Sequence, residues 1–368
     1  MRLCCLAAIG LLLLWAPMAG AQVRTDDLAQ AGWRAIDAQD ADTAEALFRQ
    51  ALTQRPGDAE LHFGAGVAAH LQGRDEDAAR FLRRSLAIEP RMTGASMLLG
   101  EIAYSEGDLD LAIKTYELAL ALSPRNGSAL KARLETWRSE AAVHDSLSTV
   151  KDDRFSVKFD GPVEQKLAVR ATTVLGNAFW TIGKTIGAYP NRPINVIFYS
   201  DQQFRDITGA PEWAGGGFDG QIKLPVRGAL ARPQLLDSML VHELTHAMLQ
   251  QVAGHAVPAW LHEGLAMHFQ GEDAVAAERE LARLRLYVPL TTLRGSFGGL
   301  STAQAQMVYT ESLFATSALL ERVGAVGLAQ LLQDIERGEP IEQAIQRFGI
   351  TFAEFESSLI QRIGRRQP

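Results

Sequence analysis

Apolar positions along this chain follow two regimes. Between about residues 25 and 140 they recur at helical spacing, and the pattern itself repeats every 34 residues. Pro56, Pro90 and Pro124 keep that interval, as do Gly32, Gly66 and Gly100, Ala44, Ala78 and Ala112, Phe48, Leu82 and Tyr116, and Leu52, Leu86 and Leu120. A fixed period of this length predicts three copies of one supersecondary unit stacked on one another, since one unit cannot bury its apolar face alone. Leu130, Leu134 and Trp137, at helical spacing between Ser128 and Val143, predict a capping helix. After the polar stretch Asp145 to Asp153 the period changes. Phe155, Val157 and Phe159 alternate as in a half-buried strand, Pro162 opens a helix running to about Ala188, and Ile194 to Tyr199 is an apolar run of strand length. Gly215 to Gly217 reads as a loop and Asp219-Gly220 as a tight turn before a third strand through Ile222, Leu224 and Val226. Gln234 to Val252 holds neither Gly nor Pro and predicts an unbroken helix; another begins near Ala259, and the remainder is helical with breaks around 290–302 and at Gly338, Pro340 and Gly349.

At 368 residues, with 47% apolar and 21% charged side chains, two domains with full cores are expected. Residues 1–21 are set aside as a signal peptide: Arg2 supplies a positive start, Leu3 to Trp15 an apolar stretch, and Ala19-Gly20-Ala21 a small-residue cleavage site before Gln22. An uncleaved anchor is the competing reading, although the run falls short of the ~20 residues a spanning helix prefers, and no later run is read as reaching that length. Both cysteines, Cys4 and Cys5, lie in this leader, which leaves the rest of the chain without disulfides or thiolate metal sites. Loss of the leader removes one of 36 basic residues and no acid, so 35 stand against 43 acidic ones. Such a balance does not suit nucleic acid, and the one basic cluster is the short tail Arg362, Arg365, Arg366.

The 34-residue unit resembles the tetratricopeptide repeat, a helix-turn-helix module, over residues 25–143. Departures are His62 and Ala69, where that family favours large aromatics, and Ser85 where Ala51 and Ala119 stand in the flanking units. The resemblance implies a short superhelix with a groove for a peptide or partner protein; a spacer or stabilising appendage is the other reading. Deleting residues 22–140 is expected to weaken activity on a protein while sparing a short peptide if the repeats recruit, and to cost both equally if they are structural.

The helix at 234–252 carries Val241-His242-Glu243-Leu244-Thr245-His246. Residues four apart share a helix face, so His242 and His246 can offer two imidazole nitrogens to one metal ion, with Glu243 beside it to take a proton from water. A third ligand is expected from the next helix, and Glu263 in Trp260-Leu261-His262-Glu263-Gly264 is the best candidate. His262 and His268 flank Glu263, and His262, adjacent in helix phase, is expected to point elsewhere; His255 lies in the connecting loop.

With these residues in view, 155–360 resembles the peptidase MA-like (gluzincin) metallopeptidases, which carry His-Glu-x-x-His on one helix and a Glu on the next. The resemblance implies Zn2+ held by His242, His246 and Glu263, with Glu243 as general base. Gly216 to Pro225 looks like the edge strand on which that family holds an extended peptide. Similar enzymes present a Tyr from a later helix to the oxyanion, which makes Tyr309 a candidate; a Tyr packed in the core is the alternative. Thermolysin-like members place an Asp four residues after the ligand Glu to orient a histidine, whereas this chain has Met267, leaving Glu272 or Asp273 as substitutes.

The expectation is therefore an α+β, mostly helical protein: a tetratricopeptide superhelix at 25–143, then a gluzincin-like domain at 154–365 with a small sheet and a helical active-site and C-terminal part. Its expected activity is zinc-dependent hydrolysis of peptide bonds, as an endopeptidase or aminopeptidase-like enzyme, exported to the periplasm or secreted, with no stable membrane span after leader cleavage. A catalytically weak or inactive metal-binding scaffold is the alternative, and hydrolysis of a non-peptide amide in the cell envelope a third.

Overall fold

The computed structural model describes residues 24–122, 127–210, 216–226, 232–253, 257–295, 297 and 300–365. The leader, Pro124, Gly215 and His255 lie outside the described residues.

Three helical pairs come first: α1 (Thr25–Asp37) with α2 (Ala41–Gln54), α3 (Ala59–Leu71) with α4 (Asp75–Ile88), and α5 (Thr93–Ser105) with α6 (Leu109–Leu122). The 34-residue spacing is a spacing of contacts. A Cβ on Gly32, Gly66 or Gly100 would lie within 3 Å of Phe48, Leu82 or Tyr116 respectively, the large residue of the same repeat. Ala44, Ala78 and Ala112 are fully buried between the same helices. Ser85 is equally buried, and its hydroxyl donates to the Ala59 carbonyl at 2.8 Å, which satisfies the polar atom that replaces alanine there. Helix α7 (Gly127–His144) closes the stack with Leu130, Leu134 and Trp137 buried against Tyr104 and Tyr116.

The remainder is built on a five-stranded mixed sheet of order β1-β2-β3-β5-β4. Strands β2 (Phe155–Phe159), β3 (Ile194–Tyr199) and β5 (Ile222–Pro225) are parallel, while β1 (Ser148–Lys151) and β4 (Gly217–Phe218) add antiparallel edges. Two of these differ from the reading of the residues: β1 forms within the stretch read only as polar, and β4 takes in Gly217 of the glycine stretch read as a loop. Of the segment Gly216 to Pro225 that the resemblance likened to an edge strand, β4 is the edge and β5 lies inside the sheet. One sheet face packs through Phe155, Val157, Val196, Ile222 and Leu224 on α8 (Gly161–Ile186) and α10 (Pro233–Ala253). The other face, with Ile197 and Tyr199, is covered by α9 (Asp201–Thr208) and by Val143 at the end of α7. Both faces of the central strands are thus buried, which is why β3 reads as a continuous apolar run.

Helices α11 (Ala259–Gln270), α12 (Ala274–Leu284) and α13 (Thr302–Glu336), then the short α14 (Ile341–Ala344) and α15 (Phe352–Arg365), complete the core. By length and composition α13 is apolar enough to cross a bilayer, contrary to the sequence reading, but half of its most apolar window is buried within the chain. It is also interrupted at Gly324 (φ 66°, ψ 177°).

The inter-helix turns of the repeats face this second part. Gly338 approaches the Ala38 carbonyl, Arg192 pairs with Asp75 and, at 2.7 Å, with Glu106, and Asn195 donates to the Ser105 carbonyl at 3.3 Å. Each contact comes from a different strand, turn or helix end of the sheet-bearing part, so the superhelix lies edge-on along it.

Candidate metal centre

Helix α10 is a core helix: Leu236, Leu240, Leu244, Met248 and Leu249 are buried around it. His242 and His246 occupy the face toward α11, which follows after a short connection and packs against α10. The first turn of α11 is anchored from outside, since the amides of Ala259 and Trp260 donate to the carbonyls of Arg294 and Leu293 at 3.1 and 3.0 Å. That satisfies helix-start donors for which Pro258 offers no side-chain cap.

Three of the expected residues converge. His242 Nε2 and His246 Nε2 lie 3.1 Å apart, and Glu263 Oε2 lies 3.5 and 3.4 Å from them. Ligands about 2.1 Å from a tetrahedral zinc ion stand about 3.4 Å from one another. The observed triangle is therefore the size of one face of such a tetrahedron. Glu263 Oε2 is buried with no hydrogen-bond partner, an orphaned carboxylate oxygen that a cation in the triangle would satisfy.

The outer nitrogens of both imidazoles are engaged. His242 Nδ1 lies 2.8 Å from Gln270 Oε1, so that Nδ1–H donates and Nε2 is left bare. His246 Nδ1 lies 2.7 Å from His262 Nδ1, and the two rings are within 9° of parallel. For His246 Nε2 to be a ligand its Nδ1–H must donate to His262, which fixes His262 as the tautomer protonated on Nε2. These two orienting partners were not foreseen. Glu272 reaches the site through Gln270, at 3.4 Å, and Asp273 instead caps α12 by accepting from Val275 and Ala276. Gln270 is seven residues beyond Glu263 and so on its helix face, a signal present in the sequence. His262 escaped because adjacency to Glu263 was taken to aim it away, whereas the far side of a ligand ring is where a neighbouring position reaches.

The electrostatics are those of a compact mixed-charge cluster. Burial works against a charged His242, but Glu263 and Glu243 outweigh it and push its pKa up to about 9. Burial also opposes ionisation of Glu263, and the two imidazoles outweigh it, holding the carboxyl well below its usual range. Glu243, buried beside His242 on α10, has its pKa raised chiefly by burial, against the pull of both histidines. A Cβ on Gly216 would lie 2.8 Å from Glu243 Oε1, which brings the β4 edge directly onto this carboxylate.

Tyr309, on α13, packs edge-on against Phe297 with ring centroids 5.7 Å apart. Its hydroxyl is close enough to the cluster that Glu263 and Glu243, after burial, raise its pKa and keep it protonated. His268 is exposed, with its ring against Phe269, outside the triangle.

Comparison with protein families agrees with this geometry. A tetratricopeptide-repeat family matches residues 30–93 and 79–127, and the Peptidase MA superfamily matches residues 175–359. No curated protein matches the chain. The second match spans half of the 368 residues and contains α10, α11 and Tyr309, and the chain belongs to the Peptidase MA superfamily.

Proposed function

We propose that this chain is an exported zinc-dependent metallopeptidase that hydrolyses peptide bonds, with His242, His246 and Glu263 holding the ion. The observation that carries the reading is the tetrahedral-sized triangle of nitrogens and oxygen around the unpartnered Glu263 Oε2. Zinc, when bound, would supply a water of lowered pKa and polarise the scissile carbonyl. The chain's own residues do the rest. Gln270 and His262 hold the imidazoles in their ligating orientation. Glu243 accepts a proton from the attacking water and returns it to the leaving amine, and a carboxylate whose pKa is raised toward the working pH performs both transfers better. Tyr309, kept protonated, donates to the oxyanion. Strand β4, at the sheet edge, offers backbone groups to an extended peptide. The repeat superhelix is the surface for a substrate protein or partner, and the leader at 1–21 supports export to the periplasm or beyond.

Glu243→Gln tests the reading. Peptide hydrolysis falls at least ~100-fold with zinc stoichiometry unchanged. Retained turnover would put the base elsewhere, and a zinc-loaded wild type inert toward peptides would favour the metal-binding scaffold.

A further inference from the structure

Lys223, in the middle of β5, is 2% exposed, and its ammonium is held by residues from both halves of the chain. Nζ donates to Tyr104 Oη at 2.5 Å, to Glu140 Oε2 at 2.9 Å and to Asp219 Oδ2 at 3.1 Å. Tyr104 ends α5 of the third repeat and Glu140 lies in α7, whereas Asp219 sits between β4 and β5. The other oxygen of Glu140, itself fully buried, accepts from Tyr199 Oη of β3 at 3.1 Å. Tyr199 in turn lies 2.6 Å from His144 Nε2 at the end of α7.

The grip extends to the backbone. Gln221 Nε2 donates to the Tyr104 carbonyl at 2.9 Å, and Gly220, at φ 104°, approaches so closely that a Cβ there would lie 3.3 Å from Ser105 Cβ. Tyr104 is rigid within its own module, its ring stacked on Trp137 at 5.1 Å with Arg133 over both rings. Tyr104 Oη also lies 3.0 Å from Asp219 Oδ2, so positions 219, 220, 221 and 223 all meet the repeat module, while Gly216 of the same hairpin abuts Glu243. An ammonium buried this deeply is tolerated only where its partners are in place, so the network admits one docking of hairpin on module.

We propose that the third repeat and capping helix are part of the cleft itself: Tyr104 and Glu140, through Lys223, position the β4–β5 hairpin against Glu243, and an extended peptide bound along that edge depends on their grip. This rests on the peptidase reading for its substrate, though not for the grip. Deleting residues 22–140 would remove Tyr104 and Glu140 and leave Lys223 with Asp219 of its own hairpin as partner, so that deletion does not separate recruitment from positioning, and a short peptide would not be spared.

The test uses the zinc-supplied full chain and two variants. Tyr104→Phe removes one hydroxyl and keeps the ring on Trp137; Lys223→Met removes the charge at similar length. Amide hydrogen exchange over residues 216–226 is expected to quicken at least ~10-fold in both, with α10, α11 and bound zinc unchanged. For a short peptide KM rises about 10-fold and kcat stays within about twofold, because the residues on α10 and α11 do not touch the network. Exchange at 216–226 equal to wild type in both variants, or quickened equally across α10 and α11, would overturn the grip. Loosened exchange with an unchanged KM would overturn its bearing on substrate. A wild type without turnover would defeat the peptidase reading alone, since the exchange result stands on its own.

Discussion

Gly264 should be intolerant of alanine in a way that helix propensity alone gets backwards. It follows Glu263 on α11, where that helix crosses α13. A Cβ at Gly264 would lie 2.1 Å from Thr316 Oγ1 and 2.3 Å from the Ser312 carbonyl oxygen. Ordinary contact begins near 3.4 Å, and a backbone carbonyl inside a helix cannot rotate away. Relief therefore requires α11 to move by about 1 Å, and overpacking of this kind costs roughly 1–3 kcal/mol. Replacing a helical glycine by alanine should by itself contribute about 1 kcal/mol in the opposite direction. With a backbone atom in the way the cost belongs at the upper end, giving a net loss of about 2 kcal/mol, or roughly 4–8 °C in Tm for a domain of this size. Because Glu263 moves with the helix, the triangle opens and zinc affinity falls at least ~10-fold. Gly176 in α8 is the control: nothing lies within 4 Å of its would-be Cβ, and Gly176→Ala should gain up to about 1 kcal/mol. Thermal unfolding by circular dichroism and zinc competition with a chelator read both effects. A Gly264→Ala protein as stable as Gly176→Ala, with wild-type zinc affinity, would refute the close approach of α11 and α13.

His262→Ala, which removes the partner of His246 Nδ1, should weaken zinc about 10- to 100-fold by chelator competition; unchanged affinity would take His262 out of the site. Tyr309→Phe should lower kcat about 100-fold with zinc retained if the hydroxyl meets the oxyanion, and a rate within about twofold of wild type would leave Tyr309 as a packing residue. Stability should respond to acid through His144, whose pKa is lowered from 6.5 to about 3 by burial, then by Lys158 and Lys223. Below about pH 6.5 the unfolded chain takes up a proton that the folded chain refuses, so stability falls by up to ~1.4 kcal/mol per pH unit until pH 3 is approached. Glu311 opposes this: burial raises its pKa from 4.5 to about 7, so it holds a proton in the folded state and costs stability as pH rises through that window. Glu311→Gln should therefore steepen the fall of Tm between pH 6.5 and 4.5, and a slope identical to wild type would contradict the assignment.

The features legible in the sequence are those whose partners lie at fixed local spacing. Gly32, Gly66 and Gly100 announce themselves because each faces a large residue sixteen positions on in its own repeat. His242 and His246 share a face by helix geometry, and a short connection to α11 suffices to bring Glu263 to them. The hidden features depend on remote cover. Strand β1 was missed because its four residues are mostly exposed and show no alternation. Lys223 reads as the outward position of a half-buried strand, since the Tyr104 and Glu140 that bury it come from 119 and 83 residues earlier. Gly264 looks like any helical glycine until α13 is laid across it, and Met267 looks like a missing orienting residue until His262 and Gln270 are seen in that role.

The central claim is a three-ligand zinc site, and the most direct measurement is metal content by mass spectrometry on purified residues 22–368 beside His246→Ala and Glu263→Ala. About one zinc per chain is expected, lost in both variants, because each removes one corner of a triangle whose edges already match a tetrahedral site. A wild type that takes up no zinc when supplied, or variants that keep it, would contradict the account.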